Sequence, residues 1–298
     1  MKHIYLITLL FCNIALYGQV DVYLDEYRAS GKSDFEKEKE LLGEATQLPE
    51  LLRPYLQDSL LHVRQKAYSF LYRKGRLVAE SEKHPYIILL LKGCEDPNGS
   101  IVGQNLIWLQ SFSKNDFPAE AKELINALLR NSQVPHRKRL IMLAGYVNAG
   151  KEWMKRQSLQ PDLSPNDRWF LNLALARLGD EAGIEFCLGA LQPLELNNNL
   201  VEFGLPDIIY TRQKKLLNIC IDYLNSDEPA CLSADPDNET PLLCGYRILE
   251  MIAPVIIDFP VKVSAIGGLE TTDYRQALLT ARQWFREHPD YQVQTDEF

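Results

Sequence analysis

The sequence predicts an all-α array of stacked helical hairpins, wound as a right-handed α-α superhelix of about five to six hairpins. Three observations carry that expectation. Val63, Ala67 and Phe70 recur 39 residues later as Val102, Leu106 and Leu109, and after 38 more as Leu140, Ala144 and Val147. Positions four and then three apart share a helix face, so one helix is drawn three times. A second echo accompanies it: Ile87, Leu90 and Leu91 return 38 residues on as Ile125, Leu128 and Leu129. Both helices of a hairpin therefore repeat, with the period near 40 of a stacked two-helix unit. Finally, turn and cap residues fall where such helices must start and stop.

Residues 1–18 read as a secretory signal peptide. Lys2 supplies the positive start, Ile4 to Leu16 is apolar apart from Thr8, Cys12 and Asn13, and Gly18 offers a cleavage point before Gln19. The run falls short of the roughly 20 residues that span a bilayer. Phe11 stands where a lipid-attachment signal wants a small residue, which disfavours anchoring through Cys12. No later stretch is long and apolar enough to be an integral membrane segment. The predicted address is export, to a periplasm or beyond the cell.

Residues 19–57 form a charged N-terminal cap segment. Its run DFEKEKELLGE reads as a leading helix or a loosely docked cap, and Leu48 to Leu56 as a short helix broken by Pro54. The repeats occupy 58–226. Asp58 precedes a helix through about Leu71, whose partner runs from about Pro85 to Cys94. Asp96-Pro97-Asn98-Gly99 is a turn before the helix Ser100 to Phe112, and Pro118 suits the first turn of the next. Ser164-Pro165-Asn166-Asp167 combines an N-cap serine, a first-turn proline and an acid three residues on. Gly75, Gly150 and Gly179 each close a helical pattern. Trp153 follows Leu140 by 13 residues, and Ile184 follows Leu171 by 13, so the links inside these hairpins are short.

Residues 227–298 comprise an acidic loop and C-terminal capping helices. Thr240-Pro241 reads as a cap and proline opening a long apolar helix to about Ile257, kinked or ended at Pro254. Pro260 to Ile266 reads as a short extended segment. Thr272 to His288 is a final amphipathic helix with Tyr274, Leu278, Ala281 and Phe285 on one face.

The stretch from Asp58 to Ala67, with an acid, then Val63-Arg64, then a small residue, resembles the first helix of a HEAT or armadillo-type repeat. Asp167 to Leu191 resembles a whole compact unit with Leu178-Gly179-Asp180 as its turn. The second copy departs from the pattern with Val102-Gly103, and the third lacks the leading acid. The resemblance covers roughly 58–224. It implies a protein-binding solenoid whose second helices line a concave surface, and it names no ligand.

The formal charge is −8, one unit more negative once Lys2 is lost with the leader, so an overall basic footprint for nucleic acid is missing. Cations gather in one place: Arg130, Arg137, Lys138, Arg139, Lys151, Lys155 and Arg156 face a single acid, Glu152. From Asp222 to Glu239 there are acids and no base. Cys94, Cys187, Cys220, Cys231 and Cys244 survive cleavage, an odd number that leaves at least one thiol unpaired or joined to another chain. Cys187 and Cys220 lie within apolar helical patterns and read as buried. Cys231 and Cys244 flank the acidic loop and are the candidate disulfide.

No metal spacing joins His62, His84, His136 and His288, and no nucleophile elbow, phosphate loop or dinucleotide fingerprint occurs. Asp235 to Glu239 superficially resembles a calcium loop but lacks the turn glycine and places Tyr246 where a bidentate glutamate belongs. Asn98 and Asn238 open glycosylation sequons by pattern. No cofactor and no catalytic residue are indicated. The sequence reads as an exported, non-enzymatic protein-binding or scaffold module, with an inhibitor or immunity-like role as the narrower version. The competing class is an enzyme using the groove, as HEAT-like DNA glycosylases do, although export and acidity oppose a nucleic-acid substrate. The predicted docking surface is Trp153 with Lys151, Lys155 and Arg156, on the second helix of the third unit; Arg and Trp are favoured interface anchors.

Overall fold

The computed structural model describes residues 18–44, 47–232, 240–264 and 268–298. The signal-peptide reading of 1–17, the calcium-loop comparison over 235–239 and the Asn238 sequon lie outside the described residues. Among the described residues the chain is all-α, 66% helical, with fifteen helices packed on one another and no strand. It forms two compact units, one ending at Leu140 and one beginning at Ile141, a division that falls inside the 58–226 segment.

The first unit runs through α1 (18–30), α2 (Phe35–Glu44), α3 (Leu48–Leu52), α4 (Leu61–Gly75), α5 (His84–Lys92), α6 (Gly99–Leu109) and α7 (Ala119–Arg130), with α8 (Arg137–Tyr146) starting at its end. The echoed positions are its core. Val63, Ala67, Phe70, Val102, Leu106 and Leu109 are wholly buried, and Ile87, Leu90, Leu91, Ile125, Leu128 and Leu129 are buried opposite them. Each of these side chains larger than Ala67 contributes roughly 1.5–3 kcal/mol by leaving water. Helix α4 packs on α5 and on α6, and α5 packs on both α6 and α7.

Two arginine–aspartate pairs run alongside, their aspartates 38 residues apart. Arg28 on α1 is ion-paired to Asp58, and Arg64 on α4 forks onto Asp96 through Nε (2.8 Å) and Nη2 (3.1 Å). Gly103 stands 39 residues after Arg64. His136 fills the space: a Cβ on Gly103 would lie 2.7 Å from His136 Nε2, which is itself 2.9 Å from the Gly99 carbonyl oxygen. Gly103 thus makes the room that His136 occupies.

The N-terminal cap is more firmly held than a loosely docked charge run. Glu38 is 3% exposed, accepting from Tyr23 Oη (2.5 Å), Lys66 Nζ (2.6 Å) and Arg73. That one acid ties α1 and α2 to α4. Of the two readings of this run, the leading helix is what α2 forms; its docking was not legible, because a buried acid with three donors is indistinguishable by composition from a solvated one.

The second unit continues with α9 (Lys151–Ser158), α10 (Pro165–Arg177), α11 (Glu181–Leu191), α12 (Leu205–Tyr210), α13 (Lys214–Leu224), α14 (Cys244–Ile252) and α15 (Tyr274–Glu287). Ser164 caps α10 by accepting from the Asp167 N–H (3.1 Å). Gly179, at φ 69°, ends α10 in the left-handed region, with Gly179 N–H bonded to Ala176 O and Asp180 N–H to Leu175 O, a Schellman closure. Gly150 does not play that part. Asn148 takes the left-handed position after α8 (φ 59°), and Gly150 (φ 70°) instead leads into α9.

One further expectation is corrected. No helix opens at Thr240-Pro241. Leu242 pairs with Cys231 through reciprocal backbone hydrogen bonds of 2.7 and 3.1 Å, which holds this stretch extended, and α14 starts only at Cys244. Pro254 lies in a 3-10 turn directly beyond α14. Lys262 and Ser264 pair with Glu270 and Gly268, so the Pro260–Ile266 segment is extended where described. On α15, Leu278, Ala281 and Phe285 are buried, as the amphipathic pattern predicts.

Candidate functional site

A cavity of about 350 Å3 opens in the first unit between α1, α4 and α6. Gln65, Lys66, Tyr68 and Ser69 of α4 line it, facing Ser100, Ile101, Gln104, Asn105 and Trp108 of α6, with Tyr27 of α1. The two helices offer it equivalent positions: Gln65 and Gln104, Lys66 and Asn105, and Ser69 and Trp108 are each 39 residues apart. Stacking the hairpins that buries the apolar stripe therefore also brings two polar stripes together beside it.

Asn105 lies wholly buried in the cavity wall, and neither its Oδ1 nor its Nδ2 has a hydrogen-bond partner. An unsatisfied buried polar group costs roughly 1–3 kcal/mol. The end of α5 reaches this side chain only because residue 93 is glycine. A Cβ there would stand 2.1 Å from Asn105 Nδ2 and 2.5 Å from the Tyr68 ring. Trp108 is half-buried, with one face covered by Tyr72 at 5.0 Å and an interplanar angle of 8°.

The local charge is already committed. Lys66 Nζ donates to Glu38 Oε1 (2.6 Å) and Ser33 Oγ (2.8 Å) and lies 4.7 Å from the centre of the Tyr27 ring. Burial pushes the Glu38 carboxyl up, but Lys66, Tyr23 and Arg73 outweigh it and hold it below the usual glutamate value. The lining thus presents amides and hydroxyls between aromatic walls. Its chemistry is recognition of a polar group by neutral hydrogen bonds, with ring faces for its apolar flank. The sequence reading missed this stripe, although the 39-residue offset of the two glutamines was its signal.

The predicted docking residues sit in the second unit on α9. Met154 is wholly buried, and Trp153 beside it is half-buried. Lys155 Nζ is 2.7 Å from Asp180 Oδ2 and Lys151 Nζ is 3.8 Å from it, while Arg156 is exposed. Asp180 also accepts from the Gly183 N–H at the start of α11. Burial alone would raise its pKa; Lys155, that N–H and Lys151 bring it below the ordinary value. Two of the four residues are therefore tied to the α10–α11 turn. Arg137, from the same basic stretch but in the first unit, donates to the carbonyls of Leu128, Leu129 and Asn131 at the end of α7.

Cys231 and Cys244 form a disulfide with Cα atoms 5.0 Å apart. Cys94, Cys187 and Cys220 are free and buried, and burial pushes the thiols of Cys187 and Cys220 up to about 12. His62 packs against Tyr27 at 5.6 Å, and His288 stacks on Trp284 at 4.5 Å. No helix among the described residues is long and apolar enough to cross a membrane. No family model, curated protein or solved structure matches this chain, so the resemblance of 58–224 to HEAT repeats rests on the residues quoted for it.

Proposed function

We propose that the chain is an exported, non-enzymatic binding protein built as a HEAT-like solenoid, and that the cavity between α4 and α6 receives a polar side chain of a partner protein. The buried, unpaired amide of Asn105 in an aromatic and amide-lined cavity is the observation that carries the reading. A partner group that reaches this amide relieves its unmet hydrogen bonding, and the gain is specific because only a polar group supplies it. The stacking of α4 on α6 and α5 on α7 supports the solenoid. The disulfide supports an oxidising compartment. The surface differs from the expected one: first helices of adjacent hairpins, rather than second helices, frame it.

The test is capture of a partner from the exporting cell by the wild type and by a Gln65→Ala, Gln104→Ala double variant. One stoichiometric protein, bound at least tenfold more weakly by the double variant at unchanged melting temperature, is the expected result. Equal capture by both proteins overturns the cavity as the site. Catalytic turnover that the double substitution abolishes would instead establish the enzyme reading.

A further inference from the structure

A second site lies in the second unit, and part of the sequence already occupies it. Residues 292–294 run antiparallel to 255–257, with Ile257 N–H donating to Gln292 O (3.0 Å) and Gln294 N–H to Val255 O (2.9 Å). Beyond them four successive main-chain carbonyls are caught. Arg177 Nη2 donates to the oxygens of Thr295 (3.1 Å) and Glu297 (2.6 Å), Tyr146 Oη to that of Asp296 (2.6 Å), and Arg212 Nη2 to that of Phe298 (3.0 Å). The Phe298 ring sits 5.5 Å from Tyr146 and 5.3 Å from Tyr210. Carbonyls are common to every residue, so the clasp reads an extended backbone and one aromatic ring rather than a particular sequence.

The clasp is also underfilled. Arg177 and Arg212 are half-buried, and among the described residues all their guanidinium hydrogen bonds go to main-chain carbonyls, with no carboxylate at ion-pair distance. Arg212 Nε is buried and has no partner, on a residue held at φ 54°. The carboxylates of Asp296 and Glu297, in the segment itself, lie near enough to stabilise Arg177 and Arg212 as cations, and the buried unused Nε donor of Arg212 favours a further acceptor. The segment itself is weakly buried: Thr295 and Glu297 are exposed, and Phe298 is half-buried. Tyr291, by contrast, is 8% exposed and donates to Asn218 Oδ1 (2.9 Å). The anchor is tight and the part beyond it is not.

We propose that Tyr146, Arg177, Tyr210 and Arg212 form a peptide-binding site for an extended partner segment carrying an aromatic residue and a carboxylate. Residues 292–298 are its resident occupant, displaced when such a segment arrives. The proposal stands apart from the α4/α6 cavity. Held by Tyr291, the resident has an effective concentration on the order of millimolar, so a peptide in solution binds the intact chain weakly until the resident is loosened.

The probe is a fluorescein-labelled peptide of the sequence Tyr-Gln-Val-Gln-Thr-Asp-Glu-Phe, titrated by fluorescence anisotropy into the full chain and into Phe298→Ala. The variant is expected to bind at least tenfold more tightly than the full chain. Adding Arg212→Gln to the variant should reverse the gain, and a probe ending in alanine should bind at least tenfold more weakly. Equal affinity for the two chains, or no binding to either, overturns the proposal. So does a Phe298→Ala chain that circular dichroism shows to be unfolded, since the segment is then part of the core.

Discussion

The helices α4 to α7 bury apolar positions that recur in the sequence, whereas the region from α12 to Phe298 is held by contacts that each occur once. In the hairpins the same positions are buried at a spacing of 38 or 39 residues. In the later region Tyr210 Oη reaches back 68 residues to Met142 O, and Tyr146 Oη reaches forward 150 residues to Asp296 O. Such contacts have no second instance in the sequence. A repeated core states each inward position more than once, and a unique contact states it never.

The largest effect should come from breaking the repeated face. Leu106→Asp places an unpaired carboxylate at a wholly buried position, and so does Ala67→Asp. Each should lower unfolding free energy by about 4 kcal/mol or more, read from the urea midpoint. A loss below about 1 kcal/mol would mean that the echo does not mark the core.

The unique region has a covalent closure in place of repetition. The 13-residue separation of Cys231 and Cys244 gives a chain-entropy contribution of about 3 kcal/mol. Replacing both by serine should cost that much, with loss of amide-exchange protection centred on 141–298. Protection lost equally in α4–α7 would erase the contrast between the regions.

A third test concerns the junction of the N-terminal cap with the first repeat. Glu38→Gln keeps the shape but weakens three charge-assisted bonds, for an expected loss of about 1–2 kcal/mol near neutral pH. The folded-state pKa of Glu38 lies below its ordinary value. Its contribution is therefore full above the unfolded value of about 4.3 and is lost as pH falls through the folded one. Wild type should lose stability on acidification from about pH 5, and the variant should lose less. Identical acid limbs would place the effect of Glu38 in its shape alone.

Legibility followed the same division. Periodicity located α4 to α7 within a few residues, and local cap chemistry located Ser164 and Gly179. Thr240-Pro241 carries the same local signal as a helix start, yet the Cys231–Leu242 pairing overrides it, because a disulfide-held turn is decided at long range. The Gln65–Gln104 stripe obeys the period but is polar, so a search for apolar echoes passes over it. The clasp around Phe298 had no signal of either kind. Its arginines are scattered, at 177 and 212, and acquire a role only once folding brings them to one segment.

The smallest structural effect, and the sharpest functional one, belongs to α9. Arg156 is exposed, so Arg156→Glu should leave stability within about 0.5 kcal/mol of wild type. Lys155→Glu is a poorer probe, because the new carboxylate faces Asp180, whose hydrogen bond and charge hold the Lys155 pKa above the usual lysine value. Repulsion there loosens the start of α11, so fold and binding change together. The comparison of the two variants separates the roles of the basic stretch. If α9 docks an acidic partner, Arg156→Glu weakens binding at least tenfold by titration calorimetry at an unchanged melting temperature, mainly through slower encounter. Full affinity in Arg156→Glu, with loss only in Lys155→Glu, would assign these cations to folding and leave the α4/α6 cavity as the docking surface.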